Sequence, residues 1–155
     1  MTDSYTLRLA TVADIPTLVE HRRAMLVDNG RADDATMVAM CARFATWVEP
    51  FIEDGSFRAW MAEAAEEPVA SASLWLKPLQ PGLRGEFTNV AYVLNVYTHP
   101  EHRNRGLSRR LMETIIEVCR AEGRPDVELH TSEFGRHLYE SLGFKPTNEM
   151  RLSLQ

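Results

Sequence analysis

The stretch "VLNVYTHPEHRNRGLSRRLMETIIEVC", Val93 to Cys119, limits the folds open to this chain more than any other. It runs a β-branched and aromatic strand up to Pro100, crosses a short Arg-rich turn and enters a helix. Leu107, Leu111, Ile115 and Val118 recur there at helical spacing, and Gly123 followed by Arg124-Pro125 stops the helix. A strand feeding a crossover helix implies parallel pairing with the strand that follows. Arg103, Arg105, Arg109 and Arg110 crowd around Gly106 at the helix entrance, the positive end of its dipole. Free backbone N–H groups converge at such an entrance, and a glycine lets a bulky ligand come close. Arginines add charge-assisted bonds, so a multiply charged phosphate ligand would relieve their mutual repulsion. On the turn alone, a solvated charged face with Gly106 as a plain turn residue is the competing reading. Neither GxxxxGK[ST] nor GxGxxG occurs.

The rest of the chain supplies the elements around this unit. "YTLRLA" alternates as a first or edge strand. A first helix follows, with Thr11 and Asp14 near capping-box spacing, Ile15, Leu18, Val19, Ala24 and Met25 or Leu26 on its apolar face, and Asn29-Gly30 as its stop. Asp33 and Asp34 open a second helix expected to end near Pro50, with Met37, Met40, Phe44 and Trp47 or Val48 buried. "SFRAWMAE" and "VASASLWL" read as a hairpin across the acidic turn "AAEEP". Lys77 to Glu86 is a loop, and "FTNVAYVLNVYTH" a long central strand. "DVELHTS", "EFGRHLYESLG" and "EMRLSL" read as strand, short helix and last strand. The order β-α-α-β-β-β-α-β-α-β is that of an α/β chain, and residues 1–155 are expected to form a single domain.

Composition narrows the function classes. A net charge of -5 argues against nucleic acid as a partner and favours a cationic or amine substrate. Cys41 and Cys119 form no CxxC pattern, so they read as buried thiols of a reducing compartment, not as a disulfide or zinc site. The start "MTDSYTLRLA" has no leader pattern and no apolar run reaches membrane-spanning length, so a cytoplasmic protein with no membrane partner is expected. His99 and His102 flank Pro100 with no third ligand near, which reads as two loop histidines and no metal. Trp47, Trp60 and Trp75 fall on apolar faces and read as core. No GxSxG elbow supports a hydrolase.

"VYTHPEHRNRGLSRRLM" resembles the acyl-CoA-binding motif of the GNAT N-acetyltransferase superfamily, a strand ending before Pro and then Arg/Gln-x-x-Gly-x-Gly/Ala. The matching positions are Arg103, Asn104, Arg105, Gly106, Leu107 and Ser108, the last departing from the usual Gly or Ala. "LHTSEFGRHLYESLGF" resembles the second signature of that superfamily, and the element order matches over nearly the whole chain. The resemblance implies a mixed sheet of six or seven strands, splayed between the fourth and fifth and flanked by about four helices. It implies that the amides of Asn104 through Arg109 cradle the CoA pyrophosphate. It also implies that Val96, Tyr97 and Thr98 pair with the pantetheine arm, and that Ser132, where many members carry Asn, touches the same arm. Acetyl-CoA is then the cosubstrate and a small-molecule or peptide amine the acceptor, and such proteins often form homodimers.

Tyr139 reads as a half-buried core tyrosine on pattern alone. The resemblance makes it the general acid at the thioester sulfur. Val96 N–H or a neighbour is implied as the oxyanion donor. Glu128 and His130 share one face of "DVELHTS", and either, or a water, could serve as base. A catalytically silent CoA-binding sensor or interaction module on the same fold is the competing function.

Overall fold

A computed structural model describes residues 4–155. Residues 1–3, the first part of the stretch read as lacking a leader, lie outside it. Five strands form one sheet in sequence order: β1 (Tyr5–Leu9), β2 (Phe57–Ala64), β3 (Glu67–Pro78), β4 (Asn89–Thr98) and β5 (Val127–Leu129). The first four pair antiparallel and β5 joins β4 in parallel, as a crossover helix requires. The helices are α1 (Ile15–Asp28), α2 (Ala35–Glu53), α3 (Leu107–Ala121) and α4 (Glu133–Ser141).

Local chemistry sets most of the boundaries. Asp14 accepts the Thr11 N–H at 2.8 Å, closing a 3-10 turn that leads into α1. Asp34 caps α2 by accepting from Thr36 N–H at 2.9 Å and from Met37 N–H at 3.3 Å. Ala65 and Glu66 take the left-handed conformation, the geometry that joins β2 to β3 without splaying them. Contrary to expectation, α2 does not stop at Pro50 but runs on to Glu53. The proline removes one N–H, yet Phe51 and Ile52 beyond it pack on the core formed by Phe44, Val48, Phe57 and Met61.

The second correction concerns the sheet, which has five strands among the described residues where six or seven were expected. The segment read as a last strand has no regular structure, and Met150, Leu152 and Leu154 are 98%, 82% and 88% exposed. Alternation marks which face a strand would bury but supplies no partner. The neighbouring edge, β5, offers a ladder of only three residues.

The sheet divides two cores. Trp60, Leu74, Ala91, Val93, Leu107, Leu111, Met112 and Ile115 pack under α3, with Tyr139 of α4 at the margin. Leu18, Phe44, Val48, Phe57 and Met61 pack under α1 and α2. β4 changes sides between them through a bulge. Its register against β3 shifts between Ser71 and Ser73, and Asn95 has a φ of 55°. Ala91 and Val93 face α3 before the bulge and Val96 faces it after, so one inserted residue re-aims the strand's last turn.

His21 is the buried polar group of the α1 face. Its Nδ1 lies 2.8 Å from Ser71 Oγ and its ring 4.9 Å from that of Tyr97. Burial, opposed by Glu20 and helped a little by His99, pushes its pKa from 6.5 down to about 4. An unfolded chain therefore takes up a proton between pH 6.5 and about 4 that the folded chain refuses. Stability is full above pH 6.5, falls as pH drops to about 4 and gains no further loss from this group below it. The loss is on the order of 3 kcal/mol. Urea unfolding at a series of pH values should show it in the wild type, and His21→Gln, which cannot titrate, should lack this component. Equal pH slopes in the two proteins would refute the assignment.

Candidate active site

The edge of β4 that meets β5 is paired only from Ala91 to Val93, so the backbone from Leu94 to Thr98 has no β5 partner. Where β4 ends, the chain turns through two left-handed residues, Asn104 (φ 60°) and Gly106 (φ 75°), into α3. The first intrahelical bond is Arg110 N–H to Gly106 C=O at 3.0 Å, so the N–H groups just before it find no acceptor within the helix. Thr98 and Ser108 hydroxyls, 3.1 Å apart, tie strand end to helix start. Gly106 has open space on its Cβ side, so its conformation, rather than crowding, is what asks for glycine here.

Together these elements line a groove of about 700 Å³. Of the residues expected at a CoA site, Val96, Tyr97, Thr98, Arg103, Asn104, Gly106, Leu107, Ser108, Arg109 and Ser132 line it, and Arg105 does not. Arg105 instead donates to the Tyr5 hydroxyl at 3.0 Å. Arg103 pairs with Asp28 at 2.6 Å and donates to Thr98 C=O, and Arg109 lies 3.8 Å from Glu113, so these two of the crowded arginines already have an anion. Arg109 donates to Ser141 Oγ at 2.6 Å. The Leu107 side chain is core, leaving only its backbone to the groove. Ser132 has a structural task as well, capping α4 by accepting from Gly135 N–H at 3.3 Å.

Tyr139 lines this groove and also a second cavity of about 320 Å³. Its ring lies over Gly135, one turn earlier, where an added Cβ would come within 2.7 Å of Cε2. Its hydroxyl makes no hydrogen bond among the described residues. Burial raises its pKa, which keeps the phenol protonated at neutral pH. The second cavity holds Tyr92, Glu128, His130 and Glu149. Glu128 is held by Arg84 at 2.9 Å. His130 Nδ1 contacts the Tyr92 hydroxyl, and its Nε2 lies 3.5 Å from Glu149. The two candidate bases thus differ: one carboxylate shares the Arg84 guanidinium with Asp126, and one imidazole stands in a Tyr–His–Glu chain. Sequence reasoning missed Met25 and Asp28 of α1, Phe134 and Leu138 of α4, and Tyr92. The i, i+4 pair of Gly135 and Tyr139 was the one readable signal for how α4 seats its tyrosine.

Among the described residues, no helix is long and apolar enough to cross a membrane, and no group of three or more His, Cys, Asp or Glu could hold a metal. The fold agrees with what comparison finds. The model of the acetyltransferase (GNAT) family matches residues 22–144, and the chain belongs to that family. Its structure superimposes on a GCN5-related N-acetyltransferase from Ralstonia eutropha JMP134 with a TM-score of 0.89. The two are 31% identical over 97% of this chain and 99% of the other. A predicted acetyltransferase from Clostridium acetobutylicum, solved with acetyl-CoA, shares the fold at a TM-score of 0.87 and 22% identity over 97% of each chain. A glucosamine 6-phosphate N-acetyltransferase from Trypanosoma brucei brucei is 34% identical over 91 residues, 56% of this chain and 57% of that one. The chain spans between 31% and 57% of the length of the curated relatives it matches.

Proposed function

We propose that this protein transfers an acetyl group from acetyl-CoA to a primary amine by direct attack on the thioester. The observation that carries the reading is the position of Tyr139, whose ring borders both the groove below α3 and the smaller polar cavity beside β5. A thioester reaching along the groove and an amine entering from the cavity would meet there.

Each part of the chain has a task in this reaction. The amides from Asn104 to Arg109 and the dipole of α3 hold the pyrophosphate. The unpaired edge at Val96, Tyr97 and Thr98 hydrogen-bonds the pantetheine amides, and Val96 N–H or a neighbour stabilises the oxyanion that forms on attack. His130, steadied by Tyr92 and Glu149, takes the amine proton directly or through water. The new C–N bond forms, the C–S bond breaks, and Tyr139 gives its proton to the departing sulfur. The acceptor is a small molecule or a peptide amine.

Saturating CoA should raise the melting temperature of the wild type, because a ligand that binds only the folded state stabilises it. A concentration of 100 times Kd corresponds to about 2.7 kcal/mol, a rise of several degrees for a chain of this size. Differential scanning fluorimetry with and without CoA measures it. No shift at millimolar CoA would exclude both the enzyme and a silent CoA-binding module.

A further inference from the structure

Arg22 of α1 is half-buried, yet among the described residues it forms no ion pair. Its neighbours are neutral. Nη1 donates to Asn95 Oδ1 at 2.5 Å, Nε faces Met40 Sδ at 3.4 Å, and the guanidinium stands 5.2 Å from the Phe44 ring centroid. Nη2 has no hydrogen-bond partner among the described residues. It is not sealed in either, since Arg58 Nε is the only buried, unpartnered side-chain N or O atom among the described residues. A guanidinium withdrawn from water without a carboxylate is expensive, and burial pushes its pKa down. A structural arginine at this depth would be expected to pair with an acid of its own chain.

Its place in the fold says where the missing anion would sit. Arg22 and Met25 stand at i and i+3 on one face of α1, with Asn29 as its C-cap one turn beyond; Met25 and Asn29 line the groove and Arg22 lies just outside that lining. Asp28, at the phosphate end, is paired with Arg103, so Arg22 lies about 9 Å further along α1 from that end. Asn95 is likewise about 10 Å back from Thr98 along β4, immediately before Val96. Both tracks lead away from the phosphate end, and Asn95 directly precedes Val96, whose N–H is the proposed oxyanion donor.

We infer that Arg22 binds a carboxylate carried by the acceptor, so that the acceptor class is amino acids rather than simple amines. This rests on the acetyl-transfer reading above and specifies its substrate. A zwitterion suits the molecule in both respects. It has no net charge for the acidic surface to repel, and its carboxylate accepts from the Nη2 that Arg22 leaves open.

The test compares matched acceptors with acetyl-CoA: phenylalanine against phenethylamine, and methionine against its decarboxylated amine. In the wild type, kcat/KM should favour the acid in at least one pair. Arg22→Gln should lower kcat/KM for that acid by about 10- to 100-fold, leave the amine within about threefold, and leave CoA affinity unchanged. Arg22→Lys, which keeps the charge and not the fork, should recover part of the loss. Equal or better use of the decarboxylated amines by the wild type overturns the inference. So does an equal loss for every acceptor, which would make Arg22 a support for Asn95 only. Calorimetry with N-acetylphenylalanine and N-acetylmethionine provides a readout without turnover. If CoA binds but neither product binds the wild type more tightly than Arg22→Gln, this inference fails alone; if CoA itself does not bind, the acetyl-transfer reading fails.

Discussion

Tyr139→Phe should lower the turnover number by roughly 10²-fold, the range general acid catalysis supplies, while CoA affinity and melting temperature stay unchanged. The aromatic ring is what rests on Gly135 and meets Phe144, at 5.9 Å between centroids, and phenylalanine keeps both contacts. The hydroxyl has no hydrogen-bond partner among the described residues, so its removal leaves no orphaned group behind. Burial raises the phenol above its ordinary value near ~10, whereas a free thiol lies near ~8.5. Proton transfer after the thiolate has left would therefore run uphill. It is favourable only in step with C–S cleavage, when the developing charge sits beside the hydroxyl. Single-turnover kinetics with a fixed acceptor isolate that step from product release. An undiminished rate in Tyr139→Phe would leave the tyrosine a packing residue and move the acid elsewhere.

The parts of this site that were legible in the sequence are those encoded by local chemistry. A proline-ended strand, a glycine able to take φ of 75° and a helix with a buried stripe lie within a few residues of one another, so the groove floor could be read directly. The caps at Asp14 and Asp34 were readable for the same reason. What failed depends on partners distant in the chain. The segment around Met150 alternates like a strand, yet pairing is a property of its neighbour, and β5 is three residues long. Pro50 would end an isolated helix, and only the packing of Phe51 and Ile52 shows why it does not. His21 stands in the sequence among Glu20, Arg22 and Arg23, and its burial against Ser71, 50 positions on, has no local signature. The bulge at Asn95 was hidden inside "YVLNVYT" because asparagine takes the left-handed conformation without a marking glycine. That one residue joins the α1 face, through Arg22, to the strand end that borders the groove.

Gly106→Glu should weaken CoA binding by ~100-fold or more and leave the fold in place, because two separate penalties fall on the ligand and only one on the protein. The protein's penalty is conformational. A non-glycine residue at φ of 75° loses about 1 kcal/mol, which lowers the melting temperature by a few degrees. No steric clash adds to it, since nothing lies within 4 Å of a Cβ built there. On the ligand side, a carboxylate would stand at the N-terminus of α3, competing for the N–H groups and placing like charge against the phosphates. The side chain would also occupy the approach that the open glycine leaves. Gly106→Asn separates the two effects, since asparagine tolerates the left-handed region and carries no charge. Calorimetry of CoA on both variants, with melting curves as the control, should give a loss of less than tenfold for asparagine beside the collapse for glutamate. If glutamate binds CoA as tightly as glycine does, the turn holds no phosphate and the arginines around it serve only the protein partners they already have.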